Sequence, residues 1–234
     1  MFIKYLVKDT MYISLYAQII TLFIGISAQF IKLSSTNRIL KDALALENIV
    51  QFIEGSFYVW FIYFYTKNVD KIDIAKYRYY DWFLTTPTMI LSAICYFVYN
   101  NKININTDNL KFTIFDLINN DYKKIFEIFY YNFSMLFFGY LQEINVINIL
   151  YSTLIGFIFF FLLFYKLYIY YVTNSKDNYL IFYIMAFIWS IYGVAALFNY
   201  KIKNAFYNIL DIFSKNFYGL FLSYLIYKLY YLKN

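Results

Sequence analysis

Residues 208–232 read NILDIFSKNFYGLFLSYLIYKLYYL, an apolar stretch that nonetheless holds Asp211 and Lys215. At about 1.5 Å of rise per residue, roughly 20 helical residues cross a hydrocarbon core about 30 Å thick. A charge inside such a segment is costly and marks a candidate functional site whose partner has to be found. One partner is close by, because positions i and i+4 stack on one face of a helix. A desolvated lysine amine can condense with an aldehyde, and a nearby carboxylate balances the cation that results. The plainer reading of the same two residues is a structural intrahelical ion pair.

The rest of the chain suits a membrane. Of its 234 residues, 62% are hydrophobic and 26% aromatic, against about 45–50% apolar in soluble domains. Mean hydropathy is +0.53. The net charge of +6 is carried near the ends of the apolar runs, as at bilayer flanks, and a nucleic-acid partner would need a basic face. Histidine is absent and Cys95 is the only cysteine. That argues against histidine-based hydrolysis, against zinc centres or any other metal site, and against an intrachain disulfide. The first apolar run shows no small-residue cleavage pattern, so it reads as a retained span.

Seven runs are long enough to span: roughly 10–33 (A), 40–66 (B), 76–99 (C), 124–142 (D), 145–172 (E), 178–199 (F) and 203–231 (G). They define an all-α, multi-pass integral membrane protein, a single domain over residues 1–234. The D–E link around Gln142, Glu143 and Asn145 is short enough to make D and E antiparallel neighbours. The longest connector, NKININTDNLKFTIFDLINNDYK between C and D, contains an apolar piece expected as an interfacial helix. Lys32, Arg38, Lys41, Lys102, Lys111, Lys166, Lys176 and Lys233 fall on one side. Lys4, Lys8, Lys67, Lys71, Lys76, Lys201 and Lys203 fall on the other, and the slight bias places the N-terminus outside and the C-terminus inside.

Span C opens KYRYYDWFLTTPTM, residues 76–89. Arg78, Asp81 and Thr85 share a face at i, i+3 and i+7. Thr86 precedes Pro87, which removes an amide donor inside the helix. Hydroxyls or water offset such a loss within a membrane. Arg78 and Asp81 alone could be an interfacial salt bridge at a helix end. Set beside span G, Asp81 would give the Lys215 nitrogen a second carboxylate.

RYYDWFLTTP on the third span with DIFSK on the seventh resembles the microbial (type 1) rhodopsins, over nearly the whole chain. The resemblance implies all-trans retinal on Lys215 as a protonated Schiff base. It implies Asp81 as primary counterion and proton acceptor, Asp211 as second counterion, Arg78 as the gating arginine on the outer side, and Thr85 bonding near Asp81. Trp82, Thr86, Met135, Gly139, Trp189 and Tyr192 would line the chromophore, although each aromatic taken singly reads as core or lipid-facing. Asn132 stands where the family often has aspartate and would bond Thr86. Gly193 replaces a common proline and Ala196 a common tryptophan, which puts pocket shape and colour in doubt. The resemblance also implies a lipid bilayer around the protein, assembly as a homo-oligomer of unassigned size, and no enzymatic reaction.

Eleven residues after Asp81, where an outward proton pump of this family carries a carboxylic donor, the chain has Ser92. A hydroxyl is a poor proton donor near neutral pH. Polar residues gather instead on spans A, B and G. Glu47, Gln51 and Glu54 share a face of B, Ser14 and Gln18 are an i, i+4 pair on A, and Asn208 lies on G. Together they would form a hydrated seam whose carboxylates favour positive ions. Taken singly, Glu47 reads as a snorkelling interfacial residue, Glu54 as structural, and Ser14, Gln18 and Asn208 as interhelical hydrogen-bonders. The seam resembles that of the channelrhodopsins, and most of all the small rhodopsins of giant algal viruses. The ranked readings are a light-gated channel for monovalent cations or protons, then a light-driven outward proton pump using Glu47 or Glu54, then a photosensory receptor. Asp81 holds negative charge where a chloride pump would need its anion.

Overall fold

The computed structural model describes residues 2–33, 37–67, 74–104 and 112–232, with the side chains of 2–5 and 103–104 left out. Lys71, Lys111 and Lys233, which enter the charge comparison, lie outside the described residues, as does the side chain of Lys4. Among the described residues, seven helices follow one another. They are α1 (Phe2–Gln29), α2 (Arg38–Lys67), α3 (Ala75–Asn104) and α4 (Ile114–Glu143). Next comes α5 (Ile149–Leu167, extended by a π-helical turn Tyr168–Val172), then α6 (Asn178–Ala195). In α7, Tyr200–Asp211 and Phe217–Tyr231 flank a π-helical turn Ile212–Asn216. The helices run antiparallel in sequence, so one end of the bundle (the near end) holds the starts of α1, α3, α5 and α7. The far end holds the starts of α2, α4 and α6.

Most spans are longer than hydrophobicity alone predicts. The apolar piece of the C–D connector is helical, as expected, and leads into the rest of α4 across a non-helical kink at Asp121. A capping box starts it. Thr113 Oγ1 accepts from the Asp116 amide at 3.3 Å, and Asp116 Oδ2 accepts from the Thr113 amide at 2.8 Å. The Thr113 hydroxyl and amide hold the Asp116 carboxyl below its usual range. Asp42 of α2 also accepts from the Ile114 amide at 3.0 Å. Helix α6 ends at Ala195, short of residue 199, because Asn199 caps α7 through the Ile202 amide at 3.1 Å. The D–E link is as tight as its length predicts, and Asn145 takes a left-handed φ of 60°, which asparagine tolerates.

Burial sorts the helices. In α3, 67% of the apolar stretch is buried, against 22% in α5 and in α6, so α3 is the central post and α5 and α6 turn side chains such as Leu154, Phe161 and Phe187 to lipid. Among the described residues, five helices hold a stretch long and apolar enough to cross a membrane; α2 and α4 are not among them. In α2 the diluting residues Glu47, Gln51 and Glu54 are all buried, so the polar stripe faces the bundle. Around Pro87, the hydroxyls of Thr85, Thr86 and Thr88 bond the carbonyls of Asp81, Trp82 and Leu84 at 2.8–3.0 Å. The carbonyl that loses its α-helical donor to proline is that of Phe83.

At the near end the Lys203 ammonium donates to both Glu143 oxygens at 2.7 Å, joining α7 to the end of α4. Both side chains are buried. Removing one partner of a buried pair strands the other charge, at a cost of about 3–5 kcal/mol. Lys203→Met is therefore expected to lower the thermal midpoint of the solubilised protein clearly, and an unchanged midpoint would show that the pair contributes nothing.

Candidate functional site

The α7 lysine meets three carboxylates. Lys215 Nζ lies 2.8 Å from Glu54 Oε1, 3.1 Å from Asp81 Oδ2 and 3.5 Å from Asp211 Oδ1, all four side chains being buried. The partner foreseen on its own helix is thus the most distant. The turn between them is π-helical, so the two residues are not stacked as in a regular α-helix. The nearest carboxylate, from α2, is one that the sequence placed in an ion path and not beside the lysine.

Asp211 is held from the near side. Its Oδ2 accepts from Tyr58 OH at 2.6 Å and faces Arg78 Nη1 at 3.4 Å, while its Oδ1 accepts from Tyr192 OH at 2.7 Å. Arg78 is buried, donates to Asn204 Oδ1 at 3.0 Å and to Asn208 Oδ1, and lies over the Phe61 ring. Asn208 in turn donates to Thr10 Oγ1 of α1 at 2.8 Å. A guanidinium so tethered is a fixed positive charge on the near side of the lysine. Asn208 belongs to this network and not to the far half of the seam.

A largely apolar cavity of about 850 Å³, its open mouth included, begins at Lys215 and runs between α3, α4, α5 and α6. Trp82, Thr86, Met135, Gly139, Trp189 and Tyr192 all line it, joined by Met89, Ser152, Gly156 and Phe160. Two glycines let aromatic rings close on it. A Cβ on Gly139 would lie 2.5 Å from Tyr79 OH, and one on Gly193 would lie 2.7 Å from Phe157 Cζ. Asn132 donates to Thr86 Oγ1 at 2.8 Å, tying α4 to α3 along the wall. An apolar slot with a single buried lysine at its end fits a long unsaturated aldehyde bound through that amine.

Beside Lys215 and on toward the far end, α1, α2 and α7 enclose a column of buried polar groups. Ser14 Oγ, both Gln18 amide atoms, Gln51 Nε2 and Asn216 Oδ1 are buried without a hydrogen-bond partner among the described residues. Asn216 crosses the column, donating to Thr21 Oγ1 at 3.1 Å and Gln51 Oε1 at 3.3 Å. Ser92, which donates to the Ala43 carbonyl at 3.1 Å, stands next to Glu47 and Tyr218. Sequence reasoning missed Thr21, Asn216 and Tyr218. Asn216 directly follows the lysine in an apolar helix, and that oddity was a usable signal.

The sequence profile described as bacteriorhodopsin-like protein matches residues 9–229. The chain therefore belongs to that family, the microbial rhodopsins, and family membership implies a retinal chromophore. Among solved structures it is similar to the viral rhodopsin OLPVRII, with 28% identity and a TM-score of 0.78 over 95% of this chain and 98% of that one. Xanthorhodopsin, a light-driven ion pump with dual chromophore, shares the fold at 16% identity and a TM-score of 0.74, over 99% and 94% of the two chains. So does bromide-bound halorhodopsin from Halobacterium salinarum, at 12% identity and 0.73, over 96% and 94%. No curated protein sequence matches the chain.

Proposed function

We propose that the protein is a light-gated cation channel: a photoreceptor that carries all-trans retinal on Lys215 and passes monovalent cations or protons between α1, α2 and α7. The near end is the outer face in this reading and the far end the inner. The observation that carries it is the column of partnerless buried groups. Buried polar atoms are almost always hydrogen-bonded, to protein or to ordered water, so a row of them on three facing helices is a row of water sites. The carboxylates of Glu47 and Glu54 bias such a path toward positive ions.

Retinal, when bound, supplies absorption of visible light and a light-driven change of shape. The chain does the rest. Trp82, Trp189 and Tyr192 confine the chromophore at the lysine end of the slot. Asp81, Asp211 and Glu54 balance the cation at the Lys215 nitrogen, and Arg78 anchors Asp211 from outside. Glu54 touches that nitrogen and lies on the seam helix, so a movement of charge at Lys215 acts directly on the path. Asn216 is the next residue along the chain, and its cross-bonds to Thr21 and Gln51 close the path in the resting protein.

The second reading, an outward proton pump, is supported by Glu47. Its buried carboxyl stands beside Ser92, and so offers from α2 the acid that α3 lacks. Photocurrents under voltage clamp, in a cell carrying the protein and retinal, separate the two. A channel current reverses sign with membrane potential and follows cation gradients. A current that stays outward across the physiological range would sink the channel reading.

A further inference from the structure

Glycine is disfavoured inside a helix, and this chain has only six glycines. One of them, Gly219, is buried near the start of the far half of α7, one turn beyond Lys215. It faces the polar column. A Cβ built there would lie 3.3 Å from Thr21 Cγ2 on α1, 3.5 Å from Gln51 Nε2 and 4.0 Å from Glu47 Cβ on α2. The missing side chain therefore sits where the three helices converge, beside the Gln51 amide nitrogen, which has no hydrogen-bond partner among the described residues. Small residues can serve simply to let membrane helices approach. Here the nearest neighbours of the bare backbone are the Thr21 methyl, the Gln51 amide nitrogen and the Glu47 Cβ, all from residues that carry the polar groups of the column.

We infer that Gly219 sets the width of the inner half of the ion path, with the Thr21 methyl opposite it as the second jaw. This rests on the channel reading and adds a size filter to it. The polar groups alone would pass any small cation; the bare backbone at 219 and the methyl at 21 decide how large an ion, with what hydration, gets past Gln51. A methyl added at 219 narrows the gap, and a methyl removed at 21 widens it. Thr21→Ser keeps the hydroxyl that accepts from Asn216, so the cross-bond survives the change.

Photocurrents of Gly219→Ala, Thr21→Ser and the double variant test the idea. Reversal potentials are recorded with external sodium replaced by methylammonium, and currents are scaled to visible absorbance. Gly219→Ala is expected to reduce the current severalfold and to lower methylammonium permeability relative to sodium. Thr21→Ser should raise that ratio above the unmodified protein, and the double variant should return it toward the starting value. A role in helix packing alone would change pigment yield and leave the permeability ratio constant. If the unmodified current reverses but the ratio is the same in all variants, the size filter is wrong and the channel stands. If the unmodified current never reverses, both fall together.

Discussion

Lys215→Ala is expected to remove all visible absorbance and every light response. Lys215 is the only lysine among the residues that line the cavity, so no second amine can take its place. Alanine would also leave Glu54, Asp81 and Asp211 around an empty position with Arg78 as the remaining close cation. Stranded buried charge of this kind costs about 3–5 kcal/mol, so the variant could be lost for want of folding. Lys215→Arg answers that objection: it keeps a cation among the carboxylates, and a guanidinium does not condense with an aldehyde under these conditions. Both variants are measured as absorption spectra after adding retinal to equal amounts of folded protein. Colour retained in either would place the attachment elsewhere.

Glu54→Gln is expected to give the largest change in ion passage among variants that keep the chromophore. A carboxylate about 6 Å from a passing cation attracts it by roughly 3 kcal/mol at an effective dielectric constant near 20. Losing that attraction at the narrow junction between Lys215 and the column raises the barrier enough to cut conductance by at least about tenfold. It should also shift the reversal potential measured in a proton gradient, because glutamine cannot relay a proton. The same change removes the nearest anion from the Lys215 nitrogen, so the absorption maximum should move as well. Conductance and selectivity both unchanged would mean that ions do not pass this carboxylate, and that the path lies elsewhere in the bundle.

Much of this architecture was legible in the sequence because membrane burial makes polar residues conspicuous. Asp81 and Arg78 on α3 and Asp211 and Lys215 on α7 stand out in apolar runs, and helical spacing orients each pair. Spacing carries no information on how two helices are rotated against one another. That is why Glu54 was read as part of the ion path and not as a partner of the lysine, which it touches at 2.8 Å. Asn208 does sit between α7, α1 and α2, bonding Thr10 and Tyr58, but spacing could not show that it also takes Arg78 as a partner. Hydrophobicity showed a helical piece in the C–D connector but not its join to α4; Thr113 and Asp116, three residues apart, already spelled its start. Gly219 was passed over because an absent side chain has no pattern to follow.

The π-helical turn at Ile212–Asn216 has a consequence for how α7 can be altered. One residue more than an α-helical turn offsets the rotational phase of everything downstream by about 100°. The stripe that greets Arg78 and Tyr58 before the turn is therefore not the stripe that greets Thr21 and Gln51 after it. The helix is two cams keyed on one shaft, with the lysine at the keyway. Deleting Phe213 from this turn would spare every named side chain and still swing Asn216 and Gly219 away from α1 and α2. Tuning colour on the upper cam and conduction on the lower one are, for the same reason, separable engineering problems.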